Sequence, residues 1–156
     1  MRNFTEPIIV LNAVGATGAG TTIDVGAFKT IVLELHTTGS ANFTAKVQGS
    51  SGIPPGANFE TQAPLNTSAV SATTMMLRPP VWASAASPTN PWTYLQSINL
   101  ADQTVYNGAV GIAATGTDIN LQVEVNTNGQ RYITVNVTAW SAGAITVTCT
   151  PFNVDE

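Results

Sequence analysis

INLQVEVN (residues 119–126), RYITVNVTAW (131–140) and AITVTCT (144–150) decide the fold class, because in all three apolar side chains recur at every second position. Ile119, Leu121, Val123 and Val125 alternate with Asn120, Gln122, Glu124 and Asn126. Ile133, Val135 and Val137 alternate with Tyr132, Thr134, Asn136 and Thr138, and Ile145, Val147 and Cys149 with Thr146, Thr148 and Thr150. A period of two sends successive side chains to opposite faces, so each stretch predicts a strand with one dry and one wet face. Thr127-Asn128-Gly129 and Ser141-Ala142-Gly143 supply turn residues between them. Residues 119–150 therefore read as a three-stranded antiparallel meander.

The same style extends toward the N-terminus. Residues 29–36 alternate Ile31, Leu33 and Leu35 with Val32, Glu34 and His36, and residues 42–48 alternate Phe43, Ala45 and Val47 with Thr44, Lys46 and Gln48. A turn containing Gly39 links the two as an expected hairpin. Short strands are expected at 8–14, 21–25 and 92–100. The best helix candidate is a turn or two at 71–77, stopped by Arg78-Pro79-Pro80 because proline cannot continue a helix. Two Pro/Gly-rich stretches, 49–65 and 79–91, read as long loops. About eight short strands with long crossovers suit an all-β, two-sheet antiparallel sandwich of jelly-roll or Greek-key topology, formed by residues 1–156 as one domain. Residues 1–7 are expected to form an arm, with Phe4 as an apolar anchor and Pro7 limiting the backbone, or else a frayed terminus.

Composition narrows the chemistry. Val, Ile, Leu and Phe number 38 of 156 residues, enough for a core at this length, and a single cysteine excludes an internal disulfide. Only 9% of residues are charged, against roughly 25% in an average soluble domain. Solubility rests instead on 51 Thr, Asn, Ser and Gln side chains. Five Lys plus Arg against nine Asp plus Glu, a net charge of −4, cannot build the basic stripe that neutralises phosphates, so nucleic acid and anionic membrane are not expected partners. No basic segment followed by a signal-like apolar run opens the chain, and no run approaches 18 apolar residues, so synthesis in a cytoplasm and no membrane span are expected.

Catalytic constellations are weak. Gly15 to Thr22 has phosphate-loop spacing, but Thr21 stands where the lysine belongs and Ile23-Asp24-Val25 continues as strand, not as the helix whose N-terminus holds phosphate. His36 is the only histidine, which excludes sites needing two imidazoles; Glu34 lies on the same strand face and offers a single-His pair, or simply a solvated face. Cys149 falls on an inward position, where a thiol packs as a small hydrophobe. The acids show no spacing that recommends a glycosidase pair. The sequons at Asn3, Asn42, Asn66 and Asn136 match what chance gives in so Asn- and Thr-rich a chain. No catalytic residue, metal or cofactor is expected. The remaining handles are Trp82, Trp92 and Trp140, as core caps, interface anchors or sugar-stacking faces, and Met75 and Met76 as a contact patch or a plug.

One resemblance rests on particular residues. Trp92-Thr93-Tyr94, Gly108 and Gly111, the strand Tyr132-Ile133-Thr134-Val135-Asn136-Val137-Thr138, and the Ser141-Ala142-Gly143 turn into Ile145-Thr146-Val147-Thr148 together resemble virion proteins of tailed bacteriophages, especially capsid decoration (cement) proteins of jelly-roll type. It covers a little over a third of the chain and rests on strand style and turn placement. It implies a non-enzymatic virion protein that binds the outside of a capsid, braces contacts between major capsid protein subunits, and is assembled in the host cytoplasm. Self-association is expected too, a trimer included. Arg2, Phe4, Pro7, Met75, Met76, Trp82, Trp92 and Trp140 are the candidate partner contacts. The alternative is a non-catalytic carbohydrate- or receptor-binding sandwich on a virion surface or tail.

Overall fold

The computed structural model describes residues 2–4, 6–51 and 92–154. All regular structure among them is strand: β1 (Arg2–Phe4), β2 (Ile8–Val14), β3 (Gly18–Ala19), β4 (Ile23–Asp24), β5 (Thr30–Ser50), β6 (Thr93–Tyr94), β7 (Ser97–Asn99), β8 (Val105–Tyr106), β9 (Ile112–Thr117), β10 (Asn120–Asn126) and β11 (Tyr132–Val154). Hydrogen bonds join them into one open antiparallel sheet, in the order β1-β11-β5-β10-β7-β8, with β2, β3 and β4 also on β11 and β6 and β9 also on β5. The all-β class holds. The helical turn at 71–77 and both long loops, apart from residues 49–51, lie outside the described residues.

Two expected turns are corners instead. Residues 29–36 and 42–48 do not form a hairpin; from Thr30 onward they belong to the single 21-residue β5. Residues 132–140 and 144–150 are likewise one 23-residue β11, so 119–150 is not a three-stranded meander. Each half-strand pairs with the other long strand and not with its own continuation, over eighteen register pairs from Tyr132↔Ser50 to Phe152↔Thr30. Between Val137↔Ala45 and Ala144↔Thr38 both strands advance seven residues, with shifts at Val137/Ala139, Trp140/Ala142 and Ala142/Ala144, and pairing then resumes in the original register. Extra unpaired residues bend a strand without reversing it.

The bend divides the sheet in two. The first half-sheet holds β8, β7, β10, the start of β5, the end of β11, and β2 and β1 along the far edge of β11. The second holds β9 and β6 on the end of β5, and β3 and β4 on the start of β11. Gly39 (φ 71°) and Gly143 (φ 83°) take left-handed conformations at the bend, which cost an L side chain about 1–2 kcal/mol. Asp118 lies between β9 and β10 and ties this ribbon to the corner: Gly39 N donates to its Oδ1 (2.6 Å), and its own N donates to the Gly39 carbonyl (3.0 Å). The Trp140 indole N–H donates to the Gly143 carbonyl at 2.8 Å.

The two halves share one core. Ile31, Leu33 and Leu35 before the bend and Phe43, Ala45 and Val47 after it keep the same parity, as do Ile133, Val135 and Val137 and then Ile145, Val147 and Cys149; all are buried in a single cluster. The flanks bridge the halves. Thr21 N donates to Val10 O in β2 (2.8 Å), and buried Leu95 links β6 on one half to β7 on the other. Two buried threonine hydroxyls are satisfied: Thr127 Oγ1 donates to the Phe28 carbonyl (3.0 Å) and Thr134 Oγ1 to the Gly20 carbonyl (3.0 Å).

A paired test of the corner follows. A Cβ at Gly143 would sit 2.7 Å from the Ala41 Cβ, whereas at Gly39 it meets open space. Gly143→Ala should therefore cost about 2–5 kcal/mol, backbone strain plus overpacking, and Gly39→Ala about 1–2 kcal/mol from strain alone. Urea unfolding of both variants checks the order.

Candidate functional site

On the outer face of the first half-sheet, cross-strand neighbours fall into rows. One row runs Val105, Ile98, Glu124, Val32 and Thr150 across β8, β7, β10, β5 and β11. The next runs Gln122, Glu34, Thr148 and Ile9 across β10, β5, β11 and β2, with Leu100 beside Gln122 through a 2.9 Å bond from its N–H to the Gln122 carbonyl. A third holds Asn120, His36 and Thr146. Glu34 and Glu124 are thus diagonal neighbours in the middle of the face. Of the strands that carry these rows, β8, β7, β10, β5 from Thr30 to Thr38, β11 from Ala144 to Phe152, and β2 contain no Lys or Arg; Lys29 just precedes β5, and the edge strand β1 carries Arg2 opposite Val154.

Strand β7 is inverted. Its polar side chains Ser97 and Asn99 are buried toward the core, while Ile98 points outward at 40% exposure. Asn99 is accommodated because its Oδ1 accepts the Ala101 N–H at 2.9 Å. Leu100 (43% exposed), Val105 (53%) and, on the far edge, Ile9 (52%) join Ile98 on the outer face. Single exposed apolar residues are normal, but a strand that turns polar groups inward and apolar ones outward presents a surface for contact.

The described residues among those singled out from the sequence are dispersed. Arg2 and Phe4 belong to β1, whose backbone pairs in cis with β11 (Arg2↔Val154, Phe4↔Phe152), and Pro7 is exposed between β1 and β2. The N-terminal segment thus adds a strand to its own sheet. Trp92 is half-buried just before β6, and Trp140, 37% exposed, covers the corner with its ring edge 3.6 Å from the Cβ position of Gly15. Met75, Met76 and Trp82 lie outside the described residues. Glu34 and His36 do share the outer face, as their spacing required. The phosphate-loop look-alike runs from the end of β2 into β3 and β4, two short strands paired with β11.

Elsewhere, Asp24 and Arg131 meet as an ion pair. Asp24 Oδ2 accepts from Arg131 Nε and Nη2 (3.1 Å each); the Gly26 N–H and then this guanidinium hold its carboxyl below the usual carboxylate range. The pair is solvent-exposed and adds little stability. Lys46 stands 4.9 Å over the Tyr94 ring, and Arg131 5.2 Å over that of Tyr132. Among the described residues no three His, Cys, Asp or Glu side chains converge as metal ligands. Ile98, Leu100 and Val105 were missed from sequence, although Ile98 and Leu100 alternate with Ser97 and Asn99: the period showed a strand, but nothing local said which parity faces the core.

Fold and surface together define an all-β domain that presents a broad, uncharged-to-acidic sheet face. No family model and no curated protein matches the chain. Two solved structures share its fold. The SPBc2 prophage-derived protein YomS is 14% identical with a TM-score of 0.59, the match covering 98% of this chain and 96% of that one. The PBSX exported protein XepA is 12% identical with a TM-score of 0.56, the match covering 97% of this chain and 38% of XepA. At these identities the likeness is one of fold, and both neighbours are phage-derived.

Burial pushes the Cys149 thiol up to about 12. A thiolate-selective reagent at pH 8 should therefore label the native protein only as fast as it unfolds. A folded value above the unfolded one means the neutral thiol's contribution is full below about pH 9 and is lost as pH climbs toward 12. Labelling kinetics with and without urea check this.

Proposed function

We propose that this chain is a non-catalytic structural protein of a phage particle, binding the outer surface of the capsid and reinforcing contacts between major capsid protein subunits. The carrying observation is the match, across nearly the full length of both chains, to the fold of the prophage-derived protein YomS. The inverted β7 face supports it, because apolar side chains set among amides and hydroxyls suit a broad, wet interface. In this reading the two half-sheets are the layers of a jelly-roll-type sandwich, and many copies on a symmetric shell gain from multivalent attachment. Self-association on the shell, as trimers, belongs to the same reading.

A glycan-binding role is the alternative, with tryptophans as stacking faces. Trp140 suits it less well, since its indole N–H is committed to the Gly143 carbonyl.

Mass spectrometry of purified particles should find this chain in copy numbers comparable to the major shell subunit. A few copies per particle would assign it to a tail. Recovery from the culture medium alone would favour an exported role, and a saturable glycan-array signal lost with Trp140→Ala would favour sugar recognition.

A further inference from the structure

We infer that the outer face of the first half-sheet is the docking surface, and that it takes a protein surface carrying lysine or arginine side chains set beside apolar ones. This deepens the capsid-binding reading and rests on it.

Three observations converge. First, Ile98, Leu100 and Val105 form an apolar strip on one side of the face and Ile9 stands at the other, so four of the eight exposed large hydrophobics among the described residues lie on it. Second, the only acidic residues between them are Glu34 and Glu124; apart from Arg2 on the edge strand β1, opposite Val154, the strands of the face carry no basic residue, and among the described residues neither glutamate has an ion-pair partner. Of the described basic side chains beyond the face, Lys46 and Arg131 stack on Tyr94 and Tyr132, and Arg131 also pairs with Asp24. Third, Asn120, Gln122, Thr148 and Thr150 surround the two carboxylates with groups that both donate and accept hydrogen bonds.

Charge selects the occupant. A phosphate backbone laid across the middle of the face would meet two carboxylates, the one cation of its strands, Arg2, standing at the edge. A second copy docking the same face about a two-fold axis would set glutamates against glutamates, and like charges so juxtaposed oppose association. A basic protein surface gains from the same pair, and apolar contacts at either side exclude water from it.

The test uses purified particles carrying the full chain. Treatment with a zero-length carbodiimide, followed by peptide mass spectrometry, should join Glu34 or Glu124 to lysines of the shell protein. The double variant Glu34→Lys/Glu124→Lys, its fold checked by circular dichroism, should lose occupancy about tenfold or more when added to particles lacking the chain. Glu34→Gln/Glu124→Gln serves if charge reversal impairs folding, and Lys46→Glu on the other half-sheet should bind as wild type. Loss of occupancy without cross-links supports the inference with arginines as the partner groups. Wild-type occupancy of both glutamate variants overturns it and leaves the capsid reading standing. Cross-links from Glu34 or Glu124 to Lys29 or Lys46 of another copy overturn it in favour of self-association, and absence of the chain from particles overturns both readings.

Discussion

The bend shared by β5 and β11 is the constraint on which the rest of the molecule depends. Two strands of 21 and 23 residues lie side by side through both half-sheets, and each crosses the corner with a left-handed glycine. Because pairing resumes in its original register beyond the corner, the inward parity is preserved from Ile31 to Val47 and from Ile133 to Cys149. A one-residue slip would turn every one of those side chains to solvent. The β9 to β10 ribbon follows the same path, tied at Asp118 to Gly39, so the corner sets the direction of three ribbons at once.

That geometry also determines what the surface offers. With the core supplied by the inward parity of the long strands, the outward parity is free to carry whatever contact requires. On the first half-sheet it carries amides, hydroxyls, two glutamates and the apolar strip that β7 adds by turning its polar residues inward. The second half-sheet engages its described cations locally, on Tyr94, Tyr132 and Asp24. A chain with so few charges sets the two faces apart by where it places them. XepA, in which a match to this chain spans 38% of the length, shows the same fold within a larger protein.

Much of the fold was legible because the period of two is strong: the dry and wet faces of 119–126, 132–138 and 145–150 are as the alternation required, except that Thr134, on the wet parity, is buried against the Gly20 carbonyl. What the alternation does not encode is whether a Gly-containing break reverses a strand or bends it. Gly39 and Gly143 punctuate the sequence as turn residues would, and only the presence of a comparably long partner strand converts both breaks into corners. The candidate face was harder to see. Its rows are made by registers among β2, β5, β7, β8, β10 and β11, far apart in sequence, and β7 and β8 are too short for periodicity to orient. Aromatic residues drew the sequence reading toward Trp140, which stands at the corner with its indole N–H on the Gly143 carbonyl, away from this face.

The central claim is that this domain acts by seating the outer face of its first half-sheet on a phage shell. The most direct measurement is a cryo-electron microscopy reconstruction of purified particles, fine enough to orient the domain. The account predicts density for the domain on the outer shell surface, with Glu34, Glu124 and Ile98 turned toward shell subunits. Domains seated through the second half-sheet, with the Glu34 face directed to solvent, would contradict it.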